Sequence, residues 1–433
     1  MKVKRAKFLH GEVHLPPDKS ISHRAAMLAS ISEGVSKIEN FSQSADCVST
    51  LNCLKQLGVD IEIEGSSIIV RGVGKQSLRA GNGFLDCGNS GTTARLLSGI
   101  LAGQNFESVL VGDESLSKRP MRRIIEPLEK MGARIESNEG CLPMKIYGRK
   151  PLDSISYKMK IASAQVKSCV LLAGLFAEGM TKVFEATTED GKVIRTRDHT
   201  ERMLDFFGAK IEKKQDSVSV SGDSILKARD FTVPRDVSAA AFFLVAAFCL
   251  DGSDIILRDV GINPTRRAII DVLQLLGAKI QIEREREECN EPVADLHLVS
   301  DSERIDRPIV LKGEVIANLI DEIPIIAVLG TQTESLEVRD ASELRVKESD
   351  RIALIVENLR RMGAEVEEFE DGFRVARSRL KGSRVRSGAD HRIAMAFAIA
   401  GLMAEGETII EDADCVAVSF PRFFETLEQV TVK

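Results

Sequence analysis

Apolar and polar positions along the chain repeat in one shape. Five stretches, "LKQLGVDIEIE", "LEKMGARIES", "LDFFGAKIEK", "LQLLGAKIQIE" and "LRRMGAEVEE", each place an apolar residue one and four positions before a glycine. The glycines are Gly58, Gly132, Gly208, Gly277 and Gly363. Most copies add apolar residues seven or eight positions earlier, as Ile124, Ile125, Leu128 and Met131 precede Gly132. That spacing is one face of an α-helix. The glycine fits a left-handed cap, and Val59, Ile61 and Ile63 alternate beyond it as a strand would. In "PRFFETLEQVTVK", Phe423, Phe424, Leu427 and Val430 keep the same spacing against Thr431, and the chain stops before the strand is complete. The N-terminal residues are therefore expected to supply the missing strand of a sixth copy.

A longer period lies over the first. "LPPDKS" (Leu15–Ser20) returns in outline as "VPRDVS" (Val233–Ser238), displaced by 218 residues, and Gly58 and Gly277 are displaced by 219. Two similar halves of three helix–glycine–strand units each follow from this. Helices alternate with short strands, so the class is α/β or α+β. The two Pro-x-Asp-x-Ser pieces mark the crossings between two domains, residues 1–19 with 234–433 and residues 20–233. A ligand site between them is the natural expectation.

Composition narrows the class without naming a function. With 433 residues, 43% hydrophobic and 29% charged, the chain can bury a large core. A formal net charge of −6 argues against broad nucleic-acid binding but leaves room for a local cationic pocket. The eight cysteines form no C-x-x-C pair and are read as reduced thiols in a cytoplasmic protein. "MKVKRAKFLHG" lacks the apolar core of a secretory signal. The run Ala239–Leu250 is too short for a bilayer, which needs about 20 residues, and reads as a buried helix. There is no phosphate-binding P-loop, dinucleotide fingerprint, zinc-protease motif, EF-hand or nucleophile elbow.

The chemistry that remains is cationic and sits at helix openings. "DKSISHR" groups Lys19, Ser20 and Arg24, the last two on one face. Free N–H groups, a hydroxyl and two cations make an anion site, although the same residues could be a cap and a solvated face. "DCGNSGTTARLLSG" offers Gly88 and Gly91 for close backbone approach, or a plain turn. Arg119 precedes Pro120, which is predicted to open a helix. Ser163 and Gln165 interrupt an apolar region, and Arg197 stands before another helix. Asp321 and Glu322 precede a buried run, as caps or as acid–base groups. Lys347 and Arg351 are placed on one helix face with Glu348 beside them, and Asp390, His391 and Arg392 lead a small apolar helix. Together these groups suit a ligand, or pair of ligands, with several negative charges.

At these residues the chain resembles the 5-enolpyruvylshikimate-3-phosphate synthase family. The resemblance spans nearly the whole sequence, through "DKSISHR", "GNSGTTAR", "KRPM", "SAQVKS", "RVKESDR", "DHRIAM" and "SFP". It implies two domains of three βαβαββ units each, an inside-out α/β barrel arrangement. It also implies transfer of the enolpyruvyl group of phosphoenolpyruvate to the 5-hydroxyl of 3-phosphoshikimate, in aromatic amino-acid biosynthesis. No metal or organic cofactor is implied; the partners are two small-molecule substrates, with no nucleic acid and no membrane, and the chain is read as a monomer.

Residue by residue, the resemblance assigns Lys19, Ser20 and Arg24 to 3-phosphoshikimate, with Lys19 touching phosphoenolpyruvate too. Gly91, Arg119, Arg351 and Arg392 would hold phosphoenolpyruvate. Ser163, Ala164 and Gln165 would line the shikimate side, with Arg197 on its phosphate and Lys347 near its hydroxyls. Asp321 would take the proton of the 5-hydroxyl, and Glu348 would serve proton transfer at the enolpyruvyl carbon. Val418 stands where several family members carry a lysine, and Ala164 where serine is frequent. "SAQVK" and "RDHTE" resemble the glyphosate-insensitive subgroup, whereas Gly91 keeps the small residue associated with sensitivity. The rival reading is UDP-N-acetylglucosamine enolpyruvyl transferase, which uses a loop cysteine; "VGDESLSKRPM" has none. A non-enzymatic anion-binding scaffold is the third reading, and it leaves Asp321 and Glu348 without a purpose.

Overall fold

The glycine device is the structural element that the sequence pattern foretells most directly. The computed structural model describes residues 1–188, 190–301 and 305–433. In it Gly58, Gly132, Gly208, Gly277 and Gly363 all adopt φ between 82° and 92°. The residue after each glycine donates its N–H five residues back, as in Val59 to the Leu54 carbonyl at 3.1 Å and Ala364 to Leu359 at 2.9 Å. The same bond closes at Ala133, Ala209 and Ala278. These are Schellman caps, which satisfy carbonyls that the helix leaves open.

Among the described residues, twelve helices of eight residues or more come in alternating kinds. They are α1 (Lys19–Ser30), α2 (Ala45–Gln56), α3 (Gly91–Ala102), α4 (Arg122–Lys130), α5 (Ala164–Gly174) and α6 (His199–Phe206), followed by α7 (Val237–Cys249), α8 (Ala268–Leu275), α9 (Ile323–Gly330), α10 (Arg351–Arg361), α11 (His391–Met403) and α12 (Phe423–Val430). The even-numbered helices are the amphipathic ones of the repeat. The odd-numbered helices are apolar nearly all round and are buried along most of their length, α7 and α9 entirely. No described helix is long and apolar enough to cross a membrane.

The chain divides into two units. One comprises Pro17–Pro234 with Glu287–Glu291, and the other comprises Met1–Pro16, Arg235–Arg286 and Pro292–Lys433. Pro17–Lys19 and Glu287–Glu291 thus cluster with the unit that the sequence reading confined to residues 20–233. Asp18 caps α1, and Asp236 caps α7 at the equivalent point of the other unit. The five-residue excursion is the tip of the hairpin formed by Lys279–Glu288 and Glu291–Val299, and its Cys289 joins the core of the first unit.

In the first unit, three four-stranded sheets share one plan. Glu33–Glu39, Ser67–Val73 and Asp60–Glu64 run antiparallel to their neighbours in that order, and Phe231–Thr232 from the end of the unit adds a parallel edge. Leu85–Asp86, Glu107–Val111, Cys141–Tyr147 and Arg134–Asn138 repeat the plan, as do Ser156–Lys158, Met180–Phe184, Ser217–Ser221 and Ile211–Lys213. Of the alternating trio, Val59 and Ile61 are buried, while Ile63, beside the hairpin turn, is half exposed.

In the second unit the same plan holds for Pro308–Leu311, Ser335–Val338, Gly372–Ala376 and Val366–Phe369. Its last copy is completed from the other end of the chain. Lys2–Lys4 pairs antiparallel with Glu407–Glu411, and Phe8–Val13 pairs with Thr431–Val432.

A substitution separates backbone strain from packing. A Cβ on Gly363 meets nothing within 4 Å, so Gly363→Ala carries only the left-handed penalty. It is expected to lower unfolding free energy by about 1–2 kcal/mol in a denaturant titration. Gly132→Ala should cost about the same, because the Arg149 guanidinium that its Cβ would meet is the end of a flexible, half-exposed side chain and can swing aside.

Candidate active site

The residues singled out from sequence stand at or near helix openings, in two arrays, one on each unit. In the first unit, α1 begins with Asp18 accepting the Ile21 N–H at 2.8 Å. Ser90 caps α3 and Ser163 caps α5 through Thr93 and Val166 N–H groups. Side-chain capping leaves other first-turn N–H groups available, which is the polarity an anion needs.

Lys19 reaches Asp46 at 2.6 Å and is largely covered. Arg24 is 4% exposed, and each of its three guanidinium nitrogens makes a hydrogen bond. It donates to Thr200 Oγ1 at 2.7 Å, to the Ser20 carbonyl at 2.8 Å and to Ser168 Oγ at 2.9 Å. Every one of those acceptors is neutral. Burial pulls its pKa down to about 10, with Glu201, Asp18 and Glu291 opposing and Arg197 adding to the drop. Arg24 and Arg197 are therefore electrostatic neighbours. Arg197 lies just ahead of α6, as the sequence suggested.

Arg119 donates to Asn89 Oδ1 at 2.6 Å, to Ser115 Oγ at 3.1 Å and to the Asn89 carbonyl at 3.3 Å. The expected helix start at Pro120 is displaced: α4 begins at Arg122, and Arg119 is extended with ψ 138°. Proline disfavours helical backbone in the residue before it, which holds Arg119 out of the helix. Gly91 is the first residue of α3, and a Cβ there would lie 2.7 Å from Arg95 Nη1. Arg95 uses that space to donate to Gln165 Oε1 at 2.8 Å, while Gln165 reaches Thr92 at 3.2 Å. Ala164 opens α5 beside Gln165 and carries no polar group of its own.

The second unit holds Asp321, Lys347, Glu348, Arg351 and Arg392. Arg351 is 1% exposed, with Nε 2.7 Å from Asp390 Oδ2 and Nη2 2.7 Å from Glu348 Oε2. Burial opposes its charge, but Asp390, Glu348 and Asp321 outweigh that and hold its pKa above the ordinary arginine range. Asp321 faces three guanidiniums, at 3.6 Å from Arg266, 3.6 Å from Arg351 and 3.8 Å from Arg392. Arg392 also donates to the Asp321 carbonyl at 3.0 Å and lies 3.6 Å from Glu322. Neither Asp321 nor Glu322 caps α9 through its side chain.

Lys347 is not on the helix face the spacing predicted. A 3₁₀ turn spans Ser342–Val346, and α10 starts only at Arg351, because the Asp350 carboxylate takes the Ala353 N–H. Lys347 instead donates to Glu343 at 3.2 Å. Val418 ends the 3₁₀ turn Ala413–Val418 and is half-buried.

Several members escaped the sequence reading. Arg95 and Arg266 are buried arginines, and Asp46 is the partner of Lys19. Arg95 had a signal, since it interrupts the apolar helix four positions after Gly91. Arg266, in "NPTRRA", had none. A hydroxyl relay also emerges: His23 Nδ1 to Thr50 at 2.7 Å, Thr50 to Thr93 at 2.6 Å and Thr93 to Ser90 at 2.8 Å.

Fold and arrays together define a class: a repeat-built α/β protein presenting arginines, lysines and carboxylates at buried helix openings. The family model for EPSP synthase (3-phosphoshikimate 1-carboxyvinyltransferase) matches residues 3–427. The chain belongs to the EPSP synthase family. It is 50% identical over 433 residues, 99% of each chain, to the 3-phosphoshikimate 1-carboxyvinyltransferase of Koribacter versatilis. It is 46% identical over 438 residues, 100% of each, to the protein of that name from Bacillus subtilis. A solved EPSP synthase from Acinetobacter baumannii superposes with a TM-score of 0.86 at 39% identity, covering 100% of this chain and 98% of that one.

One titration is built into the first array. Burial, Lys19 and Arg24 hold the His23 pKa well below the usual histidine range, against a smaller opposing effect of Asp18. The unfolded chain protonates this imidazole below about pH 6.5, while the folded protein resists. His23 therefore contributes stability that is complete above that pH and is lost as pH falls toward the folded value. His23→Asn is expected to flatten stability against pH between about 7 and 5 in urea unfolding; parallel curves would assign the dependence elsewhere.

Proposed function

We infer that this chain transfers the enolpyruvyl group of phosphoenolpyruvate to the 5-hydroxyl of 3-phosphoshikimate, releasing phosphate, as a 3-phosphoshikimate 1-carboxyvinyltransferase of aromatic amino-acid biosynthesis. One contrast carries the assignment of roles. Arg24 is buried against neutral hydroxyls and a carbonyl, whereas Arg351 is buried against carboxylates. The first arrangement leaves positive charge to be matched by a ligand anion. The second combines anion-holding groups with carboxylates able to exchange protons.

On this reading Lys19, Ser20, Arg24 and Arg197 take 3-phosphoshikimate, its phosphate meeting Arg197, while Ser163, Ala164 and Gln165 line the ring. Lys347 serves its hydroxyls. Gly91, Arg119, Arg351 and Arg392, with Lys19, hold phosphoenolpyruvate. The Asp321 carboxylate accepts the proton of the 5-hydroxyl as that oxygen bonds to C2 of the enol. Glu348 delivers a proton to C3, giving a tetrahedral adduct. Removal of a proton from C3 with departure of phosphate then restores the double bond. Asp321 and Glu348 are 17% and 23% exposed, so both remain open to a ligand. Fixed guanidiniums beside the developing charge need no reorganisation during the step.

The loop-cysteine alternative has no support in the thiol at this site. Cys47 Sγ lies 3.7 Å from the Lys19 carbonyl, and burial pushes its pKa up to about 12, so it stays protonated and a poor nucleophile.

Purified protein is expected to release inorganic phosphate only when given phosphoenolpyruvate and 3-phosphoshikimate together. Turnover with UDP-N-acetylglucosamine as sole acceptor would reassign it. Asp321→Asn and Glu348→Gln should each lower kcat by about 10²–10⁴-fold, with substrate Kd values within a few-fold in calorimetric titration. Equal losses in binding and turnover would remove the acid–base roles.

A further inference from the structure

Lys167 is the side chain that the functional reading leaves with the least excuse. It lies on α5, two residues beyond Gln165, with 1% exposure. Its Nζ sits 2.5 Å from Glu185 Oε1 and 2.7 Å from Glu201 Oε1, and it donates to the Thr196 carbonyl at 3.2 Å. One ammonium between two carboxylates is a buried cluster with more acids than bases. Such clusters are poor sources of stability, because apolar side chains of similar volume often serve as well. A role beyond holding the fold together would explain it.

The neighbours point to that role. Thr196 is clamped on three sides. Its N–H donates to Glu185 Oε1 at 3.3 Å, its hydroxyl to Glu185 Oε2 at 3.0 Å, and its carbonyl accepts from Lys167. The next residue is Arg197. Glu201 lies in the first turn of α6, one residue after Thr200, which accepts from Arg24 Nε. Ser168, adjacent to Lys167 on α5, accepts from Arg24 Nη2 and bonds Thr200 at 2.6 Å. The surplus charge of the cluster falls beside Arg24, whose guanidinium Glu201 supports.

We propose that the Glu185–Lys167–Glu201 triad is a positioning device that locks the backbone at Thr196 and the start of α6, so that Arg197 is held on the phosphate of 3-phosphoshikimate. Lys167 touches no substrate in this scheme, and the scheme rests on the reading that Arg197 takes that phosphate. Its signature is selectivity for the phosphorylated over the unphosphorylated acceptor. A side chain that merely supports the fold would weaken both alike.

Thr196→Val keeps the side-chain volume and every buried charge pair but deletes the hydroxyl donated to Glu185. Glu185→Gln keeps an acceptor for Lys167 and removes one charge. Binding of 3-phosphoshikimate and of shikimate would be measured by calorimetry, and steady-state kinetics would be run with each substrate varied. Both variants are expected to lose about tenfold in the preference for 3-phosphoshikimate over shikimate, the worth of one charge-assisted hydrogen bond. KM for phosphoenolpyruvate and kcat at saturation should stay within about twofold, because groups acting only in binding leave the chemical step intact. An unchanged preference in the folded variants, or equal loss for both acceptors, overturns the positioning role alone. Thr196→Val keeps the test readable if Glu185→Gln fails to fold. A parent protein that does not consume 3-phosphoshikimate and phosphoenolpyruvate overturns the functional reading and this role with it.

Discussion

A guanidinium or ammonium taken out of water must find replacement partners, at a cost of several kcal/mol if it does not, and this requirement shapes both arrays. The buried helices α1, α3, α5, α7, α9 and α11 are apolar almost to their first residue, so any charge at their openings is drawn into low-dielectric surroundings. Arg24, Arg95 and Lys167 are buried in helices of this kind, and Arg266 and Arg351 are buried at the starts of the amphipathic α8 and α10. The fold answers in two ways. In the first unit Arg24 is wrapped in hydroxyls and a carbonyl, and burial lowers its pKa. In the second, Asp390 and Glu348 flank Arg351 and raise it.

That difference bears on what each array can do. Hydroxyls satisfy the geometry of a guanidinium without cancelling its charge, so a phosphate still gains from approaching. Carboxylates cancel the charge but bring proton acceptors close to where an anion is held. The second array is therefore mixed rather than purely cationic, with Asp321 among three arginines and Glu348 paired to one of them, Arg351. An anion entering it must exchange partners with a carboxylate or meet a protonated one. A site for addition and elimination at a carbon–carbon double bond benefits from that coupling of anion binding to proton movement.

The repeat explains why the arrays lie where they do. Five of the six copies close an amphipathic helix on a left-handed glycine and turn into a hairpin, and the sixth ends at Thr431 in extended backbone. The openings of the buried helices recur at equivalent points, with Asp18, Ser90, Ser163, Asp236 and Asp390 capping them. A short capping side chain uses one orphan N–H and leaves neighbouring ones for a ligand. Chain ends obey the same economy: Lys2–Lys4 fills the strand position that the last copy lacks.

Local rules fixed much of this in advance. Periodicity and glycine placement gave the six helices α2, α4, α6, α8, α10 and α12, because a helix face and a left-handed cap are decided within about ten residues of chain. The run Ala239–Leu250 identified α7 as buried for the same reason, and the motifs carried the family resemblance. The start of α4 falls at Arg122, two residues beyond Pro120, and the Asp350 cap left Lys347 outside α10, a local effect that spacing alone overlooked. The partners of the charges belonged to tertiary structure. Nothing near Arg266 in sequence signals Asp321, 55 positions later, nor does Lys167 announce Glu185 and Glu201. Desolvation depends on every element packed around a group, and those elements meet only when the chain has folded.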